Sequence, residues 1–223
     1  MRIEHADNGG GGLLPVTAVL LAGGRGKRIG GNKLFLAYGG VHLFEIALGN
    51  ILNIFQRAVV ACQPGDRDDL FTLFGPMLRR MNVSVVCDSP SESGPLAGMA
   101  AAFALKASDW YFVSGCDMPD IRQSVASLIW SCKQNSSRVI TPWLGGYPEP
   151  LHSFYHSDCL PAVESSLRVG ERKITSIFQS LDVTAAPEET LRRLPGYRRS
   201  FTNINTPDDL KKWLLRKKPL TYR

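Results

Sequence analysis

An α/β fold, with a mostly parallel sheet between two layers of helices, is predicted from three features of the 223-residue sequence. Short apolar runs rich in β-branched residues alternate with longer segments of helical periodicity. The runs are apolar at consecutive positions, as in strands that helices cover on both faces. No internal repeat breaks this βαβ alternation, so a three-layer α/β/α domain is expected.

The predicted elements follow one another along the chain. Strands are expected at residues 16–22, 57–63, 83–88, 109–117 and 137–143. Helices are expected near residues 42–55, 66–80, 95–107, 121–134 and 158–168. We interpret residues 1–15 as a disordered lead-in, residues 16–215 as one domain and residues 216–223 as a basic tail.

The pattern changes after residue 143. LGGYPEPLHSFYH predicts a loop followed by a strand, and ERKITSIFQSL predicts a short helix. FTNINTPDDLKKWLL predicts the end of a strand followed by a helix. At the start of that helix Asn205 or Thr206 is placed to cap, and Pro207 falls in the first turn.

The net charge of +6 does not require a polyanionic partner. Six cations follow the last acid, Asp209: Lys211, Lys212, Arg216, Lys217, Lys218 and Arg223. The other 20 basic residues equal the 20 acidic ones, so a nucleic-acid partner is disfavoured and a solvated tail is expected.

The remaining composition indicates a cytoplasmic protein. No apolar run approaches the roughly 20 residues that span a bilayer, and the N-terminus lacks the pattern of a secretory signal. Five cysteines without a CxxC pair disfavour both a disulfide framework and a zinc site.

A glycine-rich turn follows the first predicted strand, in LAGGRGKRIGGNK. Gly23 and Gly24 permit positive φ and let backbone N–H groups approach a ligand. The turn carries four cations and no acid, namely Arg25, Lys27, Arg28 and Lys33. Backbone donors and cations at the end of a parallel strand are typical of a polyphosphate site. The alternative is a glycine-rich connection with solvated cations.

Two familiar phosphate-binding loops do not fit this spacing. The Walker pattern requires Gly-Lys-Ser/Thr, but Lys27 is followed by Arg28, and Leu21 stands where its first glycine belongs. The dinucleotide-binding pattern requires a third glycine where Ile29 stands. Both classes are therefore disfavoured.

Two acids stand at the ends of predicted strands. Asp117 in YFVSGCDMPD is placed to hold Mg²⁺, because this ion takes one or two carboxylates and fills its shell with water and phosphate oxygens. Asp88 precedes the turn GPLAG, and a carboxylate there matches the adjacent N–H donors of guanine. The alternatives are a helix cap for Asp117 and a surface loop for Asp88. We expect His152 and His156 to be ordinary, partly buried side chains, since no second ligand stands at metal spacing.

Five motifs together resemble those of the molybdenum cofactor guanylyltransferases, in the glycosyltransferase-A-like nucleotidyltransferase superfamily. They are LAGGRGKRIGGNK, DSPSESGPLAGM, GCDMPD, PEPLHSFY and NINTPDDL, and the resemblance covers about residues 16–215. It implies a Rossmann-like sheet of the nucleotide-diphospho-sugar transferase type. The first motif is shared across the superfamily, whereas its two-glycine form together with GPLAG, EPLH and NINTP is similar to the guanylyl branch.

The resemblance also implies roles for individual residues. The glycine-rich loop and its lysine would bind GTP: Leu21, Ala22, Gly23, Gly24 and Lys33. Asp88 would contact the nucleotide, Asp117 would bind Mg²⁺, and Asn205 would add a weak contact near the metal. Arg25 and Lys33 are assigned to the phosphates. Some members carry an asparagine after the second strand; here Ala61 and Cys62 stand there, so that contact is absent or moves to Gln63.

The reaction implied is the transfer of GMP from GTP to the terminal phosphate of molybdopterin, with release of pyrophosphate. Transient partner proteins for cofactor delivery are compatible with this, and a membrane partner is not expected. The alternatives are a cytidylyltransferase acting on molybdopterin, a sugar- or alcohol-phosphate nucleotidyltransferase, or a non-catalytic domain that binds nucleotides or uses its basic tail for contacts.

Overall fold

The computed structural model describes residues 12–22, 25–26, 31–88 and 94–216, with only the backbone for residues 25–26 and 31–33. Residues 1–11 of the expected lead-in and residues 217–223 of the expected tail lie outside these ranges, whereas Arg216, expected in the tail, ends the last helix. Among the described residues, none of the helices combines the length and apolar character that crossing a bilayer requires.

The strands are β1 Leu14–Leu21, β2 Arg25–Gly26, β3 Gly31–Asn32, β4 Ala37–Tyr38, β5 Val41–His42, β6 Phe55–Cys62, β7 Ser84–Cys87, β8 Trp110–Gly115, β9 Val139–Leu144, β10 Tyr147–Pro148, β11 Ser153–His156 and β12 Val183–Pro187. The α-helices are α1 Leu43–Leu52, α2 Arg67–Arg80, α3 Pro95–Phe103, α4 Gln123–Ser131, α5 Leu160–Arg168, α6 Glu188–Leu191 and α7 Pro207–Arg216. Short 3-10 turns join several of them, including Lys33–Phe35, Pro150–His152, Ile174–Ser180 and Tyr197–Phe201.

The central sheet has the order β9-β11-β8-β1-β6-β7, and β10 and β12 also pair with β9. β1 is parallel to both β6 and β8, and β6 is parallel to β7. β11 runs antiparallel to β8 and to β9, so β9 points the same way as β8. The carboxyl ends of β1, β6, β7, β8 and β9 therefore lie at one edge of the sheet.

Helices cover the sheet on both faces because its strands are apolar on both faces. In β1, Val16, Ala18 and Leu20 pack in one cluster with α1, α2 and α4. Val19 and Leu21 point to the other face and pack with α3 and α5. Each large apolar side chain that becomes fully buried contributes about 1.5–3 kcal/mol, so this two-sided pattern fixes the three layers.

The α/β class and the mostly parallel sheet are as predicted. The five predicted strands and five predicted helices each have a counterpart, with boundaries shifted by a few residues. β1 begins at Leu14, inside the expected lead-in, and pairs there with Phe55 of β6.

In the last third of the chain, the strand end expected in FTNI is wrong, whereas the short helix expected in ERKITSIFQSL is confirmed. No strand ends in FTNI: residues 202–205 belong to no strand, because a single bond from the Ile204 amide to the Asp117 carbonyl (2.7 Å) replaces a ladder. The segment ERKITSIFQSL forms a 3-10 helix. Sequence patterning missed β12, which pairs in parallel with β9.

The last helix begins as its sequence predicts. Thr206 caps it, since its hydroxyl accepts a hydrogen bond from the Asp209 amide (2.9 Å). The Asp209 carboxylate accepts in return from the amides of Thr206 and Asn205 (3.0 and 3.2 Å). The Thr206 side chain first, and then these amides, lower the pKa of Asp209 through hydrogen bonds, and the bonds fix the loop that precedes the helix.

Candidate active site

The carboxyl edge of the sheet is closed by three backbone hydrogen bonds between neighbouring strand ends. The Ala22 amide donates to the Ala61 carbonyl (2.8 Å), and the Cys116 amide donates to the Leu21 carbonyl (3.0 Å). The Asp88 amide donates to the Cys62 carbonyl (3.1 Å). The residues that follow β1, β6, β7 and β8 are therefore held side by side, at the edge where open α/β sheets bind ligands.

The glycine-rich turn leaves this edge directly after β1. Leu21 is 7% exposed and Ala22 is 1% exposed, so their side chains belong to the core and only their backbone faces the loop. β2 and β3 pair in antiparallel orientation over two residues each, and β3 leads into the 3-10 turn that starts at Lys33. Gly23, Gly24 and the side chains of Arg25 and Lys33 lie outside the described residues, so their contacts remain predictions.

Helix α3 approaches the ends of β1 and β6 closely because it carries Gly98. A Cβ at that position would lie 2.8 Å from Leu21 Cδ2 and 3.3 Å from the Ala61 Cβ. Gly94, with a φ of 111°, precedes the helix, and Pro95 forms its first turn. The small residues of GPLAG thus hold α3 against the two strands that flank the turn.

Asp88 follows β7 and is buried, with 7% of its surface exposed. Its Oδ1 atom finds no hydrogen-bond partner among the described residues. Burial raises the pKa of this carboxyl above its ordinary value. A buried acceptor without a donor is costly, and a ligand that supplies N–H groups would offset that cost.

The neighbouring strand end carries no asparagine. Ala61 is buried against α3, and Cys62 Sγ lies 3.8 Å from Cys87 Sγ, so neither side chain faces a ligand. Burial beside Cys87 raises the pKa of Cys62 to about 12, which leaves it an inert thiol. Gln63, the next residue, is partly exposed and is the polar side chain that β6 presents at this edge.

Asp117 follows β8 and is partly exposed. It is close to the backbone of that strand, since a Cβ at Gly115 would lie 2.5 Å from its Oδ1. Its carbonyl accepts from the Ile204 amide, which brings the exposed Asn205 to the same turn. Asn50 of α1 donates to the Pro119 carbonyl and fixes the chain beyond Asp117. The first helix after Asp117 begins only at Gln123.

This donor set suits a hard cation that keeps substrate oxygens in its shell. Among the described residues, no three His, Cys, Asp or Glu side chains come together as a metal cage. Mg²⁺ takes one or two protein carboxylates and completes its shell with water and phosphate oxygens, so Asp117 at the strand end fits that pattern.

His152 is more deeply buried than expected. The prediction of a partly buried side chain is wrong, because the ring is 0% exposed and packs 5.0 Å from Phe112 and 4.6 Å from Phe201. Neither ring nitrogen has a hydrogen-bond partner among the described residues, and burial lowers the pKa to about 3. His156 is partly buried, as predicted, and its Nδ1 lies 3.1 Å from Asp158 Oδ2.

A side-chain cluster that the sequence did not indicate holds the β9–β10 turn at the same edge. Glu188 Oε2 accepts from the Gly145 amide (2.9 Å), while Oε1 accepts from the Tyr197 hydroxyl (2.6 Å) and Arg198 Nη2 (2.8 Å). These bonds lower the pKa of Glu188 to about 2. The residues of this cluster lie up to 53 residues apart along the chain, in segments with no shared motif.

Known proteins share this architecture. A crystal structure of molybdopterin-guanine dinucleotide biosynthesis protein A from Archaeoglobus fulgidus superposes with a TM-score of 0.71, at 30% identity, over 88% of this chain and 96% of that one. A probable molybdenum cofactor guanylyltransferase from Pelotomaculum thermopropionicum is 30% identical over 90% of this chain and 92% of its own. Another, from Halalkalibacterium halodurans, is 27% identical over 87% and 96%.

The fold and its ligand-binding edge define a nucleotidyltransferase. A model of the MobA-like NTP transferase domain matches residues 18–185, which contain the glycine-rich turn, α3 and both strand-end acids. The chain belongs to the MobA-like NTP transferase family.

Proposed function

We propose that this protein transfers GMP from GTP to the terminal phosphate of molybdopterin, forming molybdopterin guanine dinucleotide and pyrophosphate. The observation that carries the proposal is Asp88, a buried carboxylate whose Oδ1 has no partner among the described residues, at the sheet edge where open α/β folds bind ligands. The relatives named as guanylyltransferases, which match most of both chains, support the choice of reaction.

Asp88 would select the base. Guanine presents two adjacent donors, N1–H and the 2-amino group, and one carboxylate can accept both. Cytosine presents no such pair of donors. Because the Asp88 amide is bonded to the Cys62 carbonyl, the backbone that carries the carboxylate is held in place before the nucleotide arrives.

The chemical step needs no protein nucleophile. An oxygen of the molybdopterin phosphate forms a bond to the α-phosphorus of GTP, and the bond from that phosphorus to the bridging oxygen of pyrophosphate breaks. The attacking phosphate carries most of its charge near neutral pH, since its second pKa is about 6, so no general base is required. Catalysis then rests on alignment and charge neutralisation.

The residues at the edge divide this work. Leu21, Ala22, Gly23 and Gly24 offer backbone to the nucleotide, and Arg25 and Lys33 neutralise phosphate charge. Asp117, with a weaker contribution from Asn205, would hold Mg²⁺. When bound, the ion would neutralise charge on the phosphate oxygens.

The experiment is a direct assay of the product. The protein is incubated with molybdopterin, Mg²⁺ and each of GTP, CTP and ATP, and pyrophosphate and the dinucleotide are quantified by mass spectrometry. We expect molybdopterin guanine dinucleotide from GTP and little product from the others. Product from CTP at an equal or higher rate would indicate that the protein is a cytidylyltransferase instead.

The cellular setting stays a prediction. The five cysteines are free thiols, which agrees with the reducing cytoplasm expected from their spacing. Protein partners for delivery of molybdopterin are likewise proposed only from the reaction.

A further inference from the structure

Glu149 and Asp88 lie at the same edge of the sheet, on opposite sides of β8. β11 runs antiparallel to β8 with Ser153 opposite Val113, so the residues that precede β11 lie beside the carboxyl end of β8. Phe201 packs against His152 and Ile204 bonds to Asp117, which links the segment before β11 to the turn that carries Asp117. Glu149 and Asp88 therefore flank the predicted reaction centre.

The backbone of Glu149 is fixed from both sides. Its amide donates to the Pro142 carbonyl (2.9 Å), and its carbonyl accepts from the Ser153 hydroxyl (2.7 Å). Ser153 is itself fully buried and bonded to Thr141 Oγ1 (2.7 Å), and the Tyr155 hydroxyl donates to the Pro150 carbonyl (2.8 Å). The backbone position of Glu149 is thus set by a buried polar network rather than by a loose loop.

The carboxylate of Glu149, in contrast, is not used by the fold. It is partly buried, and it forms no hydrogen bond or ion pair with the residues the structure describes. Desolvation raises its pKa, with no cation to oppose the shift. A desolvated carboxylate without a counter-charge favours a ligand that brings its own hydrogen-bond donors.

The two substrates carry the same donor pair. The 2-amino-4-oxo pterin ring presents N3–H beside its 2-amino group, just as guanine presents N1–H beside its own. Four strand spacings of about 4.8 Å separate β7 from β11, roughly 19 Å in all, so Asp88 cannot serve both rings at once. The pterin therefore needs its own hydrogen-bond acceptor on the other side of the cleft.

We propose that Glu149 accepts hydrogen bonds from N3–H and the 2-amino group of the pterin, and so selects a 2-amino-4-oxo pteridine as acceptor. This inference rests on the proposed function and identifies the residue that determines acceptor specificity. Asp88 and Glu149 are then equivalent acceptors for the two ring systems of the product, and the phosphates react between them.

The test combines one isosteric variant with two probes. Glu149→Gln keeps the size of the side chain but leaves one acceptor and places an amide opposite the second donor. Glu164→Gln, on the exposed surface of α5, is the matched control. The KM values for molybdopterin and GTP are measured, together with the binding of 6-hydroxymethylpterin phosphate and its 2-deamino counterpart by calorimetry.

We expect Glu149→Gln to raise the molybdopterin KM about tenfold while the GTP KM stays within about twofold, because one charge-assisted pair is lost on one side only. Wild-type protein and Glu164→Gln should prefer the 2-amino probe about tenfold, and Glu149→Gln should lose that preference.

Three results would overturn the inference. The probe preference could survive in Glu149→Gln, both KM values could rise together, or the variant could change the Mg²⁺ requirement instead, which would make Glu149 a metal ligand. If wild-type protein forms no dinucleotide, the proposed function fails, and the calorimetry with the two probes still decides the role of Glu149.

Discussion

The two sides of the cleft are built differently. On the nucleotide side, β1, β6 and β7 are parallel strands joined by helices, and their ends carry the glycine-rich turn and Asp88. On the acceptor side, antiparallel strands and 3-10 turns are held by side chains: Ser153 bonds to Thr141 and to the Glu149 carbonyl, and Glu188 accepts from the Gly145 amide. Regular backbone positions the first set of groups, and buried polar contacts position the second.

The difference explains where polar groups are left without partners. In the nucleotide half the described backbone is bonded strand to strand, and Asp88 keeps an unpartnered oxygen for a ligand. In the acceptor half, Glu149 lies at the same edge, while His152 is sealed between Phe112 and Phe201. Asp88 and Glu149 suit ligand binding. The buried, unpartnered His152 instead lowers the stability of the fold, and its aromatic packing offsets that cost.

The largest expected effect is that of Asp117→Asn, which keeps the shape of the side chain and removes its charge. Because the charge would hold Mg²⁺ against the phosphates, turnover should fall by at least about 10²–10³-fold, while metal-free GTP binding persists. Pyrophosphate release is the measurement. Asp109→Asn, just before β8 at the opposite edge, is the control. Near-normal turnover in Asp117→Asn would show that Asp117 is a structural turn residue.

A comparable loss is expected for Lys33→Ala. The side chain would neutralise developing phosphate charge, and removing one such contact costs about 2.7–4 kcal/mol in the transition state by analogy with an oxyanion donor. Lys33→Arg should rescue only part of the rate, since a planar guanidinium does not replace a compact ammonium. Lys106→Ala, at the edge of the sheet opposite the active site, is the control for the loss of one positive charge. Full activity of Lys33→Ala would show that the glycine-rich turn is only a solvated basic loop.

The acceptor side should be the more sensitive of the two to acid, through His152. Its folded pKa is about 3 and its ordinary value is 6.5, so between these values only the unfolded chain binds the proton. The free energy of unfolding then falls as the pH drops through this window, by about 2 kcal/mol at pH 5. His152→Phe suits the aromatic surroundings. In urea titrations, the free energy of unfolding of this variant should fall less at acid pH than that of the wild type, by the same amount. Parallel pH curves for the two proteins would contradict the assignment.

A smaller effect is expected on the nucleotide side from Gly98→Ala. The new methyl group would press on Leu21 and Ala61, and such overpacking costs about 1 kcal/mol or more. Gly49→Ala in α1 has nothing within 4 Å and should instead stabilise by about 0.5–1 kcal/mol. Thermal unfolding of both variants checks the contrast. A stabilised Gly98→Ala would show that α3 is not tightly seated.

The nucleotide side was the more predictable from sequence. Its strands are apolar on both faces and alternate with segments of helical periodicity, so local patterns agree with the tertiary structure, and the acids fall where strands end. The acceptor side depends on contacts between distant residues. The bond from Ile204 to Asp117, the Glu188 cluster and the burial of His152 have no local signature, and β12 is short and ends in Pro187. Glu149 stood inside a recognised motif, but its unused carboxylate became apparent only from its surroundings.

The most direct test of the central claim, that a buried acid on the nucleotide side recognises guanine, is the ratio of KM values for GTP and ITP in wild type and Asp88→Asn. ITP lacks the 2-amino group, so wild-type protein should prefer GTP about tenfold, and the variant should bind the two nucleotides nearly equally. An unchanged preference in Asp88→Asn would contradict the account, because some other group would then be reading the base.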